Sequence, residues 1–490
     1  MVASDVSERR EPVFPGRRIP RAGAPFPRPL RATAPRPAGP PGVVTWSLWL
    51  LVLGSLLTAL PGPAALGELR GEGTLVGGGV LILLAALTGM LADVRALRNV
   101  SLYLPLAGMI AASFLANAHV IAAAHFIGRS GPEKFVSALL VLAFYLTAFY
   151  ALSAIMVVYG VRLVLGSLRP VAIFAAVMLI LEMTVELATW FSPPLRQAWL
   201  SMRFIWTHET YAPLFRIVAF ASEPSFGAIS VLGVLGLLGA QWVLDDDRAG
   251  PPHRLKIAAL AIALVGLQLF ADARTFFIGA LGGLMAWTML VPLKRALPPA
   301  VKSAVIVLGP LPVQAFMIWT VLHADHAAQT ISNVSRSVGM VTSLRMWAEH
   351  PLLGHGLGQY GFHFRALIPA WGLQSWEVSR FIRPEQFDLI KGLPPSFSLF
   401  SRVGAELGLL GFAAWILPPL YAVRQALRRR PDALTTAMVC AFAAQLWTGL
   451  SLDSFRNIHY WFWLAALLAW PLQSQAAAFV RPPTSRPARG

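Results

Sequence analysis

The chain has 490 residues, of which 56% are hydrophobic and only 13% charged, where a soluble protein of this size carries about 25% charge. A soluble globular fold is therefore excluded, and repeated apolar runs of roughly 20 residues point to a polytopic helical membrane protein. The net charge of +17 is spread between the apolar runs and not gathered on one soluble domain, which argues against nucleic acid and for the anionic face of a bilayer.

Residues 1–43 hold Arg9, Arg10, Arg17, Arg18, Arg21, Arg28, Arg31 and Arg36 among many prolines. They read as a disordered basic tail that stays in the cytoplasm, not as a cleaved signal, because the first apolar run starts only near Val43. About twelve apolar spans follow, at 44–60, 74–92, 101–124, 136–160, 170–190, 217–243, 256–271, 275–292, 301–322, 403–422, 433–450 and 457–473. Threading them from a cytoplasmic N-terminus puts Arg95 and Arg98, Arg162 and Arg169, Arg248, Arg254 and Lys256, Lys294, Arg295 and Lys302, and Arg424 to Arg430 on the inner side. That is the distribution the positive-inside rule demands. Arg481, Arg486 and Arg489 place the tail, 474–490, inside as well. Cys440 is the single cysteine, so an intrachain disulfide and a cysteine metal cluster are excluded.

Three features fall on the outer side: a loop at about 191–216, the tight turn Ala271–Arg274, and a long segment from His323 to Ser401. The long segment exceeds ordinary loop lengths, and its Tyr360, Phe362, Phe364, Trp371, Trp376 and Phe381 predict packing over disorder. No fixed short repeat is present.

The candidate chemistry follows in chain order. Glu182 and Glu186 share one helical face and are either acid–base groups or, as the preferred reading, counter-charges to arginines. Arg216 and Glu223 stand seven residues apart, two turns on one face of the sixth span. Pro224 directly behind Glu223 predicts a kink that frees backbone groups. A charge inside a span needs a partner or an aqueous cavity, which makes Glu223 a candidate base. Arg274 in the turn ADARTFF is an interfacial anchor or, together with Arg216, Arg336 and Arg345, a phosphate ligand on the outer side; guanidinium forks suit phosphate oxygens. Arg336 and Arg345, nine residues apart, face opposite ways on one helix. Arg345 also has Glu349 as an i+4 partner. Pro351 then breaks the helix into a turn carrying Gly354, Gly356 and Gly358, a flexible lid or floor for an anionic substrate. Without a preceding strand or a Walker lysine it is no nucleotide loop. Asp453, Arg456 and His459 close the last outer turn, and the ten histidines show no metal-binding spacing.

RIVAFASEPSFG, ADARTFFIGALGG, SRSVGMVTSLRMWAEHPLLGHGLGQYGFHF and SFSLFSRVGAELGLLGF, over roughly 210–415, resemble the O-antigen ligase and polymerase (Wzy-type) family. The resemblance implies an all-α fold like the glycosyltransferases of type C, in a bacterial inner membrane with both termini cytoplasmic. On this reading 44–322 carries nine spans, 323–402 is a large periplasmic loop containing helices, and 403–473 carries three more spans. It also implies a transferase that uses an undecaprenyl-diphosphate-linked oligosaccharide, with no cofactor and no required metal. Arg216, Arg274 and one of Arg336 or Arg345 would hold the diphosphate. Ligases of the family carry a His–Asn ahead of the Glu-x-Gly segment, where this chain reads Pro394–Pro395–Ser396–Phe397–Ser398. The expected activity is therefore polymerisation of repeat units for O-antigen, capsule or exopolysaccharide. Transfer to another acceptor and transport of the lipid-linked glycan are the alternatives. Whether a chain-length regulator binds is left open, since the tails carry no readable docking motif; nucleic acid is not an expected partner.

Overall fold

The structure, a computed structural model, describes residues 40–57, 73–126, 128–207, 217–221, 223–245, 251–271, 273–323, 331–383, 393–428 and 431–479. The expected Arg216 and the basic tail lie outside these residues. Apart from a two-residue hairpin, β1 (His125–Phe126) and β2 (Arg129–Ser130), the regular structure is helical. Among the described residues eight helical stretches, counting Pro299–Thr320 as one, are long and apolar enough to cross a membrane, and four shorter apolar helices occupy the remaining stretches read as spans. The chain is thus a multi-pass membrane protein.

The first half runs α1 (Gly42–Gly54), α2 (Thr74–Leu87), α3 (Val94–Ser101), α4 (Leu104–Ala123), α5 (Gly131–Tyr159), α6 (Val161–Ser167), α7 (Arg169–Ala188) and α8 (Pro193–Thr207). The start of α5 follows from its sequence. Ser130 is the N-cap and its Oγ accepts the Glu133 N–H at 3.3 Å, with Pro132 in the first turn, the S-x-x-E pattern that satisfies orphan amides. Then come α9 (Pro224–Leu244), α10 (Pro251–Phe270), α11 (Arg274–Leu290), α12 (Pro299–Leu308) and α13 (Pro310–His323). The expected ninth span is two helices meeting at Gly309–Pro310, because a proline has no N–H for the ladder.

The sixth span also differs from expectation. Helix α9 begins only at Pro224, and residues 217–221 are non-helical, with a turn in which Ala219 has φ 54°. The expected helix does not run through 217–221, and Arg216 itself lies outside the described residues. Glu223 is the N-cap residue of α9, with extended backbone, since a residue before proline is pushed out of the helical region.

The described parts of the long segment are folded. It forms α14 (Ile331–Glu349), α15 (Tyr360–Leu367) and α16 (Trp376–Ile382). These close a small core of their own from Val334, Val338, Met346, Phe364, Val378 and Phe381, as its aromatic content predicts. The chain ends through α17 (Leu399–Arg428), α18 (Ala433–Trp447) and α19 (Ile458–Phe479).

Helix α17 is broken at Gly408, which has φ 67° and ψ −170°. The turn after Pro351 fills the break. His355 and Gly356 donate their N–H groups to the carbonyls of Ala405 and Glu406 at 3.1 and 2.8 Å, and Leu409 donates to Pro351 O at 2.7 Å. Broken backbone at membrane depth survives only when such partners exist.

Connections expected on one side of the membrane also meet one another. Arg98 reaches the Tyr421 hydroxyl, Arg162 pairs with Asp432 at 3.1 Å, and Arg169 pairs with Asp245 at 3.0 Å. At the other end, Gln359 reaches Gly131 O at 3.0 Å, Arg336 reaches Ser451 O at 3.1 Å, and Arg402 reaches Asp453 O at 2.7 Å.

Candidate active site

The second set of connections encloses a cavity of about 310 Å³. Four cations line it, Arg129 from β2, Lys134 from the first turn of α5, Arg402 from the start of α17 and Arg456 from the turn before α19. Only two carboxylates, Glu406 and Asp453, line it with them. Tyr360, Gly358 and the Leu393–Pro395 segment complete the wall.

Arg402 organises the site. Its Nε donates to Glu406 Oε1 at 3.1 Å, one helical turn away, and its Nη1 donates to Asp453 O at 2.7 Å. The Glu406 side chain is 1% exposed, and a charge so placed requires a partner. The Tyr360 N–H also donates to Glu406 Oε1, at 3.4 Å. Asp453 is fixed through one oxygen: Oδ2 accepts the Ser396 N–H at 2.8 Å and the Ser396 hydroxyl at 3.2 Å. Arg456 turns its Nε onto Ser454 Oγ at 3.0 Å. Burial holds the Tyr360 hydroxyl well above its ordinary pKa, so it stays protonated and donates to Gly339 O at 3.0 Å.

Ser454 and Arg456 belong to a second cavity as well, an apolar crevice with about 40 Å³ open. Its walls include Phe226, Leu399, Trp415, Phe455, Ile458 and Trp461, and Arg456 is the single Arg or Lys among its lining residues, which include no carboxylate. A cationic chamber thus abuts an apolar one across a shared arginine.

The residues expected from sequence fall around this chamber more than in it. Gly358 lines it. A Cβ on Gly354 would stand 2.4 Å from the carbonyl carbon of Glu406, and one on Gly356 would stand 2.8 Å from Ile121 Cδ1. Those two glycines seat the turn against α17 and α4. Arg336 and Arg345 point to different neighbours, as helix geometry requires: Arg336 lies over the Phe397 ring at 5.2 Å besides its bond to Ser451, and Arg345 donates to Leu367 O at 3.0 Å. Arg274 opens α11 and is exposed; the Ser451 hydroxyl bonds its neighbour Thr275 at 2.8 Å. Glu223 is exposed and does not line the chamber. Glu182 and Glu186 are buried beside Arg203. Glu186 Oε2 accepts the N–H groups of Val218 and Ala219 at 2.9 and 3.1 Å, which pins the non-helical segment before α9.

Arg402, Glu406, Lys134 and Arg129 are the chamber residues that sequence reading passed over. Arg402 and Glu406 carried a signal, an i,i+4 pair at the start of an apolar run. Lys134 and Arg129 carried none.

Among the described residues no group of three or more His, Cys, Asp or Glu is arranged to hold a metal. His350, His355 and His363 nonetheless lie ring against ring in sequence, edge-on and tilted, with centroids 4.2 and 4.4 Å apart. Burial, with His363 and His350 alongside, pushes His355 down to about 3. Glu349 stands 3.5 Å from its Nε2 but is 50% exposed, too well solvated to offset that. In the unfolded chain the imidazole titrates near 6.5, so below that pH the unfolded state binds a proton that the folded state refuses until about 3. Stability is expected to fall as pH drops below about 6.5. Thermal unfolding between pH 7.5 and 5 checks this, and His355→Gln should shallow the decline; an unaltered slope would refute it.

Set beside known proteins, the chain matches no family model and no curated protein.

Proposed function

We propose that this protein is a membrane glycosyltransferase that joins oligosaccharide units carried on a polyprenyl diphosphate, a polysaccharide polymerase. The observation that carries the reading is the junction at Arg456, where a chamber lined by four cations abuts an apolar crevice. An anionic head next to an apolar group matches that division, and the sequence resemblance supplies the lipid carrier and the glycan. The absence of a histidine near Pro394–Ser398 favours polymerisation over transfer to a different acceptor.

In this reading the twelve apolar helices are twelve spans, both termini are cytoplasmic, and the chamber opens at the periplasmic face of a bacterial inner membrane. Arg402, Arg456 and Lys134 face the diphosphate. The acceptor hydroxyl attacks the anomeric carbon, the bond from that carbon to the diphosphate oxygen breaks, and its electron pair leaves with the diphosphate. Preorganised cations stabilise the charge that builds there. The hydroxyl proton passes to Asp453, whose Oδ1 remains available while Ser396 holds Oδ2. Glu223, outside the chamber, gives up the role of base to Asp453. Arg336 supports the turn at Ser451, which also bonds Thr275, the neighbour of Arg274.

The test is a reconstitution in liposomes with one lipid-diphosphate oligosaccharide as both donor and acceptor, read as a product ladder on gels. Arg456→Ala is expected to slow ladder growth by about 10²–10³-fold, the usual cost of removing one preorganised donor. An unchanged ladder removes the diphosphate assignment. A parent protein that makes no ladder until a different acceptor is added is a ligase. Glycan that crosses the bilayer without joining marks a transporter.

A further inference from the structure

We infer that the groove between α7 and α10, at the end of the protein remote from the cationic chamber, is a binding site for an anionic phospholipid of the bilayer. The groove holds about 510 Å³. Arg169, His253 and Lys256 cluster at one end of it. Arg169 pairs with Asp245 through Nη1 at 3.0 Å and meets His253 Nδ1 through Nη2 at 3.2 Å. Among the described residues Asp245 is the acidic partner of this cluster, through its bond to Arg169; Lys256 is exposed. Beyond the cations the walls are aliphatic, Ile173 and Ile180 on α7 and Leu260 and Ala263 on α10.

Charge and length together select the occupant. Arg169 to Ile180 is eleven residues, about 16 Å at the helical rise, and one leaflet of hydrocarbon is about 15 Å deep. A phosphate at the cations would therefore leave an acyl chain lying along the aliphatic walls for the depth of one leaflet. The flanks of the groove are built for lipid contact, with Phe174 and Leu181 on α7 and Ile262 on α10 more than half exposed. A free phosphate would use only the cations and leave the walls without an occupant. The site is separate from the chamber and depends only on the protein being embedded in a bilayer, not on its reaction.

The full-length protein, equilibrated with vesicles of equal phosphatidylglycerol and phosphatidylcholine and then released for native mass spectrometry, tests this. The parent should retain phosphatidylglycerol in preference to phosphatidylcholine. Lys256→Gln should cut that preference about fivefold, the effect of one basic residue at a membrane surface. Ala263→Trp, which fills the groove, should remove bound lipid of both kinds. Lys256 is exposed, so its variant stays informative if the tryptophan variant does not fold. A parent that retains no lipid, or a preference unchanged by Lys256→Gln, overturns the inference.

Discussion

Arg402→Met is expected to unfold a large fraction of the protein, and Arg402→Lys to fold but fail in catalysis. The two outcomes separate the two tasks of one guanidinium. Methionine removes the charge from beside Glu406, whose side chain is 1% exposed, and an unpartnered buried charge of this kind costs about 3–5 kcal/mol. A typical protein has only about 5–15 kcal/mol in hand, so the yield of folded material should drop sharply. Adding Glu406→Gln to Arg402→Met removes the stranded charge and should restore much of the thermal stability without restoring product. Lysine keeps the charge but lacks the planar fork. It cannot hold Glu406 Oε1 and Asp453 O together as Nε and Nη1 do at 3.1 and 2.7 Å. The turn that carries Asp453 and Arg456 would lose its anchor. The measurements are thermal unfolding in detergent and the liposome ladder; a lysine variant with full turnover would show that Arg402 serves the fold alone.

Gly408→Ala should be nearly as damaging, through the backbone. At φ 67° and ψ −170° the residue occupies a region that belongs almost entirely to glycine, with a strain of about 1–3 kcal/mol for any other residue. Space is the larger obstacle. A Cβ there would stand 2.2 Å from the carbonyl carbon of Leu352 and 2.3 Å from its oxygen. The turn would have to retreat, and with it the bonds from Leu409 N to Pro351 O and from Gly356 N to Glu406 O, each contributing about 0.5–1.5 kcal/mol. Gly283→Ala is the control, because its nearest neighbour would be Cys440 O at 3.5 Å, an ordinary contact. The expected result is a large loss of folded yield and melting temperature for Gly408→Ala and little change for Gly283→Ala. Equal melting of the two variants would show that the crossing of turn and helix is not a structural requirement.

These two expectations show where sequence reading stops. The helical membrane class was legible because apolar runs and basic connections are local properties, written in consecutive residues. So was the packed nature of the long segment, through its aromatics, and the break at Pro351. The divergence of Arg336 and Arg345 followed from helical periodicity alone. The expected helix through 217–221 is absent because Pro224 opens that stretch and Glu186, from α7, holds the amides of Val218 and Ala219. A hydrogen bond across 32 residues leaves no trace in local periodicity.

What the sequence by itself determined is a basic, multi-pass helical protein whose charges gather between spans, with Gly354 to Gly358 as a turn after α14. What only the tertiary structure decided is which charges meet. Lys134, Arg402 and Arg456 come from α5, α17 and the turn before α19, more than 300 residues apart at the extremes, and line one chamber with Asp453. Their meeting depends on the turn at Gly354 docking into the break at Gly408. Contacts of that range are selected by burial and by backbone groups that must find partners away from water, and neither requirement is visible until the helices are packed.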